Sequence, residues 1–464
     1  MFAFNSGYGY DALEYLVIGR SLVDGYHLYD FIPSKSFGLY GLVAGLLKTG
    51  LPLGHFSLSV VVAGLFCANV VAAGMVARAV FGRRAAWISG GLIALCSVFM
   101  EMNYLEPESL VAITGLLAFL AVLRGLEDQG AGPWLLAGAW VGIGTWFKSV
   151  ALFYLAGIVV FLVLPPRTQH MRRAILLLTG FLLAVTLPAA WFASQGRLAD
   201  HLQWTYLFPL LRRRADLSLL WKLYTKLLWF LVLLAGTVLL VVRRRRILAE
   251  PAVKLALCMG CVSLLALFKQ QASHYVFPAA VLLSLVVARA VDANLPDRLG
   301  ERVPALAGLA AAAAVLLGAS AWLYRPGAFK LFTGVRDFSG EQAVAHFIQE
   351  RVRPEQRALF VKNSMLFYWI SHRYPNLPIL TLDVQETWWL RNQPDRLIRA
   401  LADPALALVE FDSAAPGYQD HAFMSDPRDR QLMSQFRSDL ERHFVLADTN
   451  SSPYVFWQRQ HTKP

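Results

Sequence analysis

The stretch LLAGAWVGIGTWFKSVALFYLAGIVVFLVL, residues 135–164, decides the fold class of this chain. It carries a single charged side chain, Lys148, along its whole length. An α-helix needs about 20 apolar residues to cross the roughly 30 Å hydrocarbon layer of a bilayer. The stretch therefore predicts two short membrane spans that meet at a turn around Lys148.

The rest of the chain has the same apolar character. Of its 464 residues 56% are hydrophobic and only 16% are charged, and the mean hydropathy is +0.47. A soluble domain is about 25% charged. This composition excludes a disordered chain, a disulfide-rich secreted module and a single soluble domain. It predicts a polytopic α-helical membrane protein, for which we expect no nucleic-acid partner.

Windows of about 19 residues predict membrane helices along most of residues 38–325, about 10–12 in all. The predicted spans lie at 56–77, 85–100, 109–125, 133–147, 149–165, 174–193, 224–242, 252–268, 274–290 and 303–324. The shorter apolar stretch 38–51 contains Gly38, Gly41, Gly45 and Lys48, and it is more typical of an interfacial or re-entrant helix.

Lys and Arg are unevenly divided between alternate loops, and this division sets the orientation of membrane proteins. Arginine-rich loops, which we place on the cytoplasmic side, hold Arg78, Arg83, Arg84, Arg124, Arg167, Arg172, Arg173, Arg243, Arg244, Arg245, Arg246, Arg289, Arg298 and Arg302. Residues 1–37 and everything after 325 then lie outside. Because the sequence opens without a signal segment, we expect a further helix to precede its first residue.

One loop breaks the charge pattern. Loop 194–223 is predicted to be extracytoplasmic, yet it is basic. Its cations are Arg197, Arg212, Arg213, Arg214 and Lys222. They could meet anionic lipid headgroups, or they could bind a phosphate or pyrophosphate, whose oxygens suit guanidinium forks. Both interpretations stay open.

The chain after residue 325 has the composition of a soluble α/β domain. Stretches that alternate like strands, and two amphipathic helices, follow one another there. The strands are predicted at 357–363, 377–382, 406–412 and 454–459, and the helices at 339–352 and 394–403. We expect domain 326–464 to cap the membrane domain or to help hold a substrate, without a nucleotide site.

Ionisable side chains at the membrane edge are the first candidates for function. In segment 1–37, Asp11, Glu14 and Tyr15 lie about one turn apart on a predicted amphipathic helix, and Asp30 and Lys35 follow in a loop. A carboxylate can take a proton from an acceptor hydroxyl, and a lysine can neutralise a phosphate leaving group. The alternative is an interfacial helix with a solvated polar face.

A second acidic site precedes the span at 109–125. It comprises Glu101, Glu106 and Glu108. The helix dipole alone would favour one of these carboxylates. The three could instead pair with Lys148 or with Arg212, Arg213 and Arg214, which we call the Arg212 cluster, or they could hold a divalent cation, although no cofactor is certain.

A third polar segment lies at the predicted turn 268–274. Lys269, His274 and Tyr275 could bind phosphate there. Alternatively, Lys269 snorkels toward the interface and His274 caps the next helix. The pair Cys258 and Cys261 lies inside an apolar span, where small packing residues are expected rather than a redox or metal site.

The order of these motifs resembles the GT-C membrane glycosyltransferases. An Asp on a short helix is followed by GYHLYD (25–30), a Lys before an apolar run, an acidic loop, LLAGAWVGIGTWFKS (135–149) and HYVFP (274–278). The likeness runs from about residue 7 to 325. It is greatest to the bacterial branch related to dolichyl-phosphate-mannose protein mannosyltransferases and aminoarabinose lipid A transferases, in which an extracytoplasmic α/β tail is common.

This resemblance implies an inverting transfer from a polyprenyl-phosphate-linked sugar to a lipid, glycan or protein acceptor, at the outer face of a bacterial inner membrane. It matches Asp11 to the catalytic base and Lys35 to the lysine that faces the lipid phosphate. Glu106 or Glu108 matches the second acidic site, and His274-Tyr275 matches a late His-Tyr turn. The usual Lys-Pro-Pro is Lys35-Ser36-Phe37 here.

The leading hypothesis is therefore a lipid-linked-sugar glycosyltransferase. Glu14 would orient sugar or acceptor, and Lys35 with the Arg212 cluster or Lys269 would stabilise the departing phosphate. A transporter or flippase of a lipid-linked substrate is the alternative. It predicts repeated halves and broken helices with polar groups near mid-bilayer, and the sequence shows neither. A purely structural protein would leave the acidic segments unexplained.

Overall fold

The structure is a computed structural model that describes most of the chain in two compact units. The helical unit comprises Met1–Gly7, Lys35–Leu39 and Gly54–Thr333, and the mixed unit comprises Tyr8–Ser34, Tyr40–Leu53 and Gly334–Pro464. The described residues are 10–33, 35–51, 53, 55–100, 105–128, 130–164, 170–212, 245–268, 273–294, 339–361, 365–380, 389–411, 427–447 and 455–460.

The described helices, numbered along the chain, are found in both units. They are α1 Tyr10–Val23, α2 Phe37–Lys48, α3 His55–Phe81, α4 Arg83–Phe99, α5 Glu108–Glu127, α6 Ala131–Phe147, α7 Leu152–Val163, α8 His170–Ser194, α9 Leu198–Leu202, α10 Pro251–Ser263, α11 Phe277–Asn294, α12 Ser339–Arg351, α13 Met365–Ser371, α14 Pro394–Ala402 and α15 Pro427–His443. A π-helix, Gln203–Arg212, continues α9.

Apolar helices dominate the helical unit, as the sequence predicts. Within the described residues, four helices are long and apolar enough to cross a bilayer: Ser57–Phe81, Glu108–Glu127, His170–Ser194 and His274–Asn294. Eight of the ten predicted spans coincide with described helices. The spans predicted at 224–242 and 303–324 lie outside the described residues.

Close helix contacts build the core of the helical unit. Helix α6 packs against α5 and α8. A Cβ atom on Gly138 would lie 1.9 Å from the Leu177 carbonyl oxygen, and one on Gly180 would lie 1.9 Å from that of Leu135. Only glycine permits such a backbone approach. Helix α11 is largely buried and packs against α4, α5 and α10.

Ionisable residues at three helix ends of this unit bear on the candidate site described below. Helix α5 begins at Glu108, directly after Pro107. Helix α6 ends at Phe147, and Lys148 leaves it with extended backbone before the 3₁₀ turn Ser149–Ala151. The 3₁₀ turn Ser273–Val276 precedes α11 and carries His274.

The mixed unit contains a four-stranded sheet of order β1-β2-β4-β3. The strands are β1 Arg357–Phe360, β2 Leu406–Glu410, β3 Phe444–Leu446 and β4 Phe456–Arg459. Strands β1 and β2 are parallel, and the other two pairs are antiparallel. The strand predicted at 377–382 is absent from its described part, 377–380, where Pro378 interrupts the pattern.

Helices α1 and α2 belong largely to the mixed unit. Helix α2 has 12 residues, which corresponds to about 18 Å and is short of the bilayer core. The two helices pack closely, because a Cβ atom on Gly19 of α1 would lie 2.4 Å from a methyl carbon of Val43 on α2. Helix α1 also packs against α13 of the α/β domain.

Candidate functional site

Two carboxylates are buried at the start of α5. Glu106 is 5% exposed and Glu108 is fully buried, with Pro107 between them. Because Glu108 is the first residue of α5, its charge faces the positive end of the helix dipole. The dipole accounts for one buried carboxylate, but the second needs another source of stabilisation.

Lys148 supplies a cation to this pair. Its ammonium group donates a hydrogen bond to Oε1 of Glu108, and both side chains are buried. The same nitrogen lies 3.7 Å from the centroid of the Tyr275 ring, a distance at which a ring face attracts a cation. The predicted pairing with Lys148 is therefore present, whereas the side chains of Arg212, Arg213 and Arg214 lie outside the described part of the chain.

His274 completes the group that we call the Glu108 cluster: Glu106, Glu108, Lys148, His274 and Tyr275. Nε2 of His274 lies 3.9 Å from Oε1 of Glu108. The His274 and Tyr275 rings are 4.8 Å apart. The cluster thus joins the start of α5, the end of α6 and the turn before α11.

The Glu108 cluster contains a set of atoms that could hold a metal ion. One ligand atom each from Glu106, Glu108 and His274 lie within 4.8 Å of one another. Carboxylate oxygens and imidazole nitrogens suit Zn²⁺ or Mn²⁺. The ammonium of Lys148 already neutralises part of the charge that would attract such an ion.

Lys35, from segment 1–37, belongs to the helical unit and interacts with this cluster. It is half-buried, and its positive charge interacts with the Glu108 carboxylate. Phe37, two residues later, packs edge-on against Phe192 at 5.6 Å and contacts Trp146 at 5.8 Å. The backbone that carries Lys35 is therefore anchored by aromatic side chains on α6 and α8.

The acidic helix α1 differs from the predicted amphipathic helix. Glu14 is only 3% exposed and Tyr15 is fully buried, so the interpretation as a solvated polar face is wrong for these residues. The Tyr40 hydroxyl donates a hydrogen bond to Glu14, and its ring lies 5.6 Å from that of Tyr15. Asp11 lies in the first turn of α1, and its side chain is outside the described part.

Asp30 has a local structural role. Its carboxylate accepts a 2.8 Å hydrogen bond from the backbone N–H of His27, which closes the 3₁₀ turn Leu28–Asp30. Four other predicted site residues lie outside the described residues. They are Glu101, Arg213, Arg214 and Lys269. Arg212 ends the π-helix, and its side chain is not described.

His201 is a buried polar residue that the sequence did not indicate, and it packs against the segment that follows Lys35. Its ring stacks on Phe192 at 4.6 Å and meets Phe37 and Tyr206 edge-on. Burial lowers the pKa of His201 from 6.5 to about 4, so the ring is neutral at physiological pH. It packs the segment after Lys35 against the π-helix that ends at Arg212.

Comparison with known proteins relates this fold to that of membrane glycosyltransferases. Residues 46–192 match the family model of dolichyl-phosphate-mannose-protein mannosyltransferase. ArnT from Cupriavidus metallidurans in the apo state superposes with a TM-score of 0.65 at 15% identity, over 96% of this chain and 92% of ArnT. This chain has the GT-C fold. The predicted resemblance to membrane glycosyltransferases of the mannosyltransferase and ArnT type is thereby confirmed.

Two further structures share the GT-C fold. ArnT bound to undecaprenyl phosphate superposes with a TM-score of 0.60 at 15% identity, over 97% of this chain and 94% of ArnT. The Archaeoglobus fulgidus oligosaccharyltransferase tethered with an acceptor peptide superposes with a TM-score of 0.51 at 13% identity. The superposition covers 97% of this chain and 70% of the oligosaccharyltransferase. Among curated proteins, no sequence matches this chain.

Proposed function

We propose that this GT-C-fold protein is an integral membrane glycosyltransferase that uses a polyprenyl-phosphate-linked sugar. The observation that carries the proposal is the Glu108 cluster, in which buried ionised groups gather at the ends of three apolar helices. Buried charges at such places are costly and mark functional sites. ArnT, which shares the fold, has been solved with undecaprenyl phosphate.

The proposed reaction is a single inverting displacement. Asp11 removes the proton from an acceptor hydroxyl as its oxygen attacks the anomeric carbon from the face opposite the phosphate. The bond between that carbon and the phosphate oxygen breaks, and the polyprenyl phosphate leaves with both electrons. Lys35, with Arg212, Arg213, Arg214 or Lys269, stabilises the developing phosphate charge. Glu14 orients the sugar or the acceptor.

The Glu108 cluster suits the binding of a polar substrate group. Its carboxylates can accept hydrogen bonds from sugar hydroxyls, and His274 can donate or accept one. The ammonium of Lys148 donates a hydrogen bond to Glu108 and so fixes the position of its carboxylate. We propose that these groups bind the sugar or the acceptor at the extracytoplasmic face of a bacterial inner membrane.

The test is transfer by the purified protein. Wild type, Asp11→Asn and Glu108→Gln are reconstituted with a polyprenyl-phosphate sugar and lipid, glycan and peptide acceptors, and product is measured by mass spectrometry. We expect Asp11→Asn to lower kcat about 100-fold or more, because loss of a general base typically costs 10²–10⁴-fold. Unchanged turnover in Asp11→Asn would remove Asp11 from the mechanism. Translocation of the lipid without any transfer would favour a flippase.

A further inference from the structure

The carboxyl-terminal half of α1 is held by aromatic residues of the C-terminal α/β domain. The guanidinium of Arg20 lies 5.2 Å from the centroid of the Trp369 ring. One turn later, Asp24 Oδ2 accepts a 2.6 Å hydrogen bond from the Tyr374 hydroxyl. Asp24 directly follows α1, and its backbone N–H donates to the Arg20 carbonyl at 3.0 Å, so both contacts hold the carboxyl end of α1.

The loop that follows α1 is fixed to the same domain. The Tyr26 ring lies 5.0 Å from that of Tyr374, and Arg357 on β1 donates a hydrogen bond to the Tyr26 hydroxyl. The backbone N–H of Ile32 donates to the Pro378 carbonyl at 2.7 Å. Residues 20–32 therefore contact the α/β domain through one cation–π pair, one tilted ring pair, two side-chain hydrogen bonds and one backbone hydrogen bond.

The protonation state of Tyr374 supports this contact. Burial and the neighbouring Asp24 carboxylate raise the pKa of Tyr374 well above its usual range. The phenol therefore keeps its proton and donates to Asp24 across the physiological pH range.

We infer that Trp369 and Tyr374 are positioning residues for the transfer reaction, because they set the direction of the helix that carries Asp11 and Glu14. The inference rests on the proposed function. Asp11 lies nine residues before Arg20, about 13.5 Å along a helix that rises 1.5 Å per residue. A tilt of about 10° would move it by about 2 Å, and a misplacement of about 1 Å can cost 100-fold in rate.

The chain offers a matched control for Trp369. Trp369 and Trp389 are each 8% exposed, and each has an arginine over its ring, Arg20 at 5.2 Å and Arg396 at 5.5 Å. Arg396 belongs to the α/β domain, whereas Arg20 belongs to α1. Trp369→Leu and Trp389→Leu therefore remove similar aromatic packing from the domain, and only the first removes a contact with α1.

The experiment measures kcat and KM for transfer, together with hydrogen exchange of the α1 amides, in full-length reconstituted protein. We expect Trp369→Leu to lower kcat at least about 10-fold, with donor KM within about twofold, and to speed exchange in residues 12–23. Trp389→Leu should leave kcat and the exchange rate of α1 unchanged. Trp369→Phe, which keeps an aromatic ring, should retain most of the wild-type kcat.

Equal losses in Trp369→Leu and Trp389→Leu, or unchanged kcat in Trp369→Leu, would overturn the positioning role. A double-mutant cycle between Asp24→Asn and Tyr374→Phe gives a second test, since coupled residues show non-additive effects on kcat. We expect the double variant to lose no more than the more damaging single variant, and strictly additive losses would count against the contact. If wild type transfers nothing, the proposed function fails, and hydrogen exchange alone still tests whether Trp369 holds α1.

Discussion

At the scale of single residues, the charges buried in the Glu108 cluster decide which substitutions the cluster tolerates. Glu106 and Glu108 bring two carboxylates into the interior, and Lys148 is a buried cation in direct contact with one of them. A buried ion pair contributes little compared with well-packed apolar residues, but removing one partner leaves an uncompensated charge. The cluster is therefore sensitive to the loss of either member alone.

Lys148→Met should consequently destabilise the protein by about 3–5 kcal/mol, because it leaves the buried Glu108 carboxylate without its cationic partner. Thermal unfolding of purified protein in detergent measures the effect, and Zn²⁺ or Mn²⁺ should raise the Tm of Lys148→Met more than that of wild type. The double variant Lys148→Met/Glu108→Gln, which removes both charges, should recover much of the stability. A Tm for Lys148→Met equal to that of wild type would show that Glu108 is compensated by another group.

His201 predicts a pH dependence of stability. Burial lowers its pKa from 6.5 to about 4 in the folded protein, so the unfolded chain takes up a proton first as the pH falls. Stability should therefore decrease from about pH 6.5 toward pH 4. His201→Phe keeps an aromatic ring beside Phe192 and should remove this contribution. Parallel slopes of Tm against pH for wild type and His201→Phe would contradict the assignment.

At the scale of elements, the contact between α6 and α8 depends on glycine. Gly138→Ala would place a methyl group 1.9 Å from the Leu177 carbonyl oxygen. We expect a loss of about 1–3 kcal/mol, since overpacking forces the two backbones apart. Gly132→Ala on the same helix meets nothing within 4 Å, and it should be neutral or slightly stabilising. Thermal unfolding compares the two variants, and equal Tm values would mean that α6 and α8 can separate without cost.

The apolar helices could be predicted from the sequence because their signal is local, whereas the small sheet could only partly be predicted. Strand β3 has three residues and follows α15 without a turn, so no alternating pattern is long enough to detect. The stretch at 377–382 alternates like a strand, yet the Pro378 carbonyl accepts its hydrogen bond from Ile32. That bond joins residues more than 300 positions apart, and local pattern carries no information about it.

The candidate site was predictable in part for the same reason. Lys148 and the acidic segment could be identified as candidates because charged residues are rare in apolar sequence. Their pairing follows from the need to compensate buried charge. His201 gave no such signal, because its role depends on Phe37 and Phe192, which come from distant segments. Contacts between α1 and the α/β domain were likewise beyond prediction, since they join the two ends of the sequence.

At the scale of the whole molecule, the proposed transfer requires its catalytic residues to lie on the side of the membrane where the lipid-linked sugar is presented. The loops rich in arginine indicate the cytoplasmic side, and they include Arg83 at the start of α4. By the alternation of the predicted spans, the α/β domain is then predicted to be extracytoplasmic. This orientation is a prediction of charge and parity that a labelling experiment can decide.

The experiment places single cysteines in a variant whose Cys67, Cys96, Cys258 and Cys261 are replaced by serine. Arg353 in the α/β domain and Arg83 are both exposed, so Arg353→Cys and Arg83→Cys are matched reporters. In spheroplasts, a membrane-impermeant maleimide should label Arg353→Cys at once and Arg83→Cys only after lysis, because the reagent cannot cross the bilayer. The reverse pattern would place the α/β domain in the cytoplasm, where the proposed extracytoplasmic transfer could not occur.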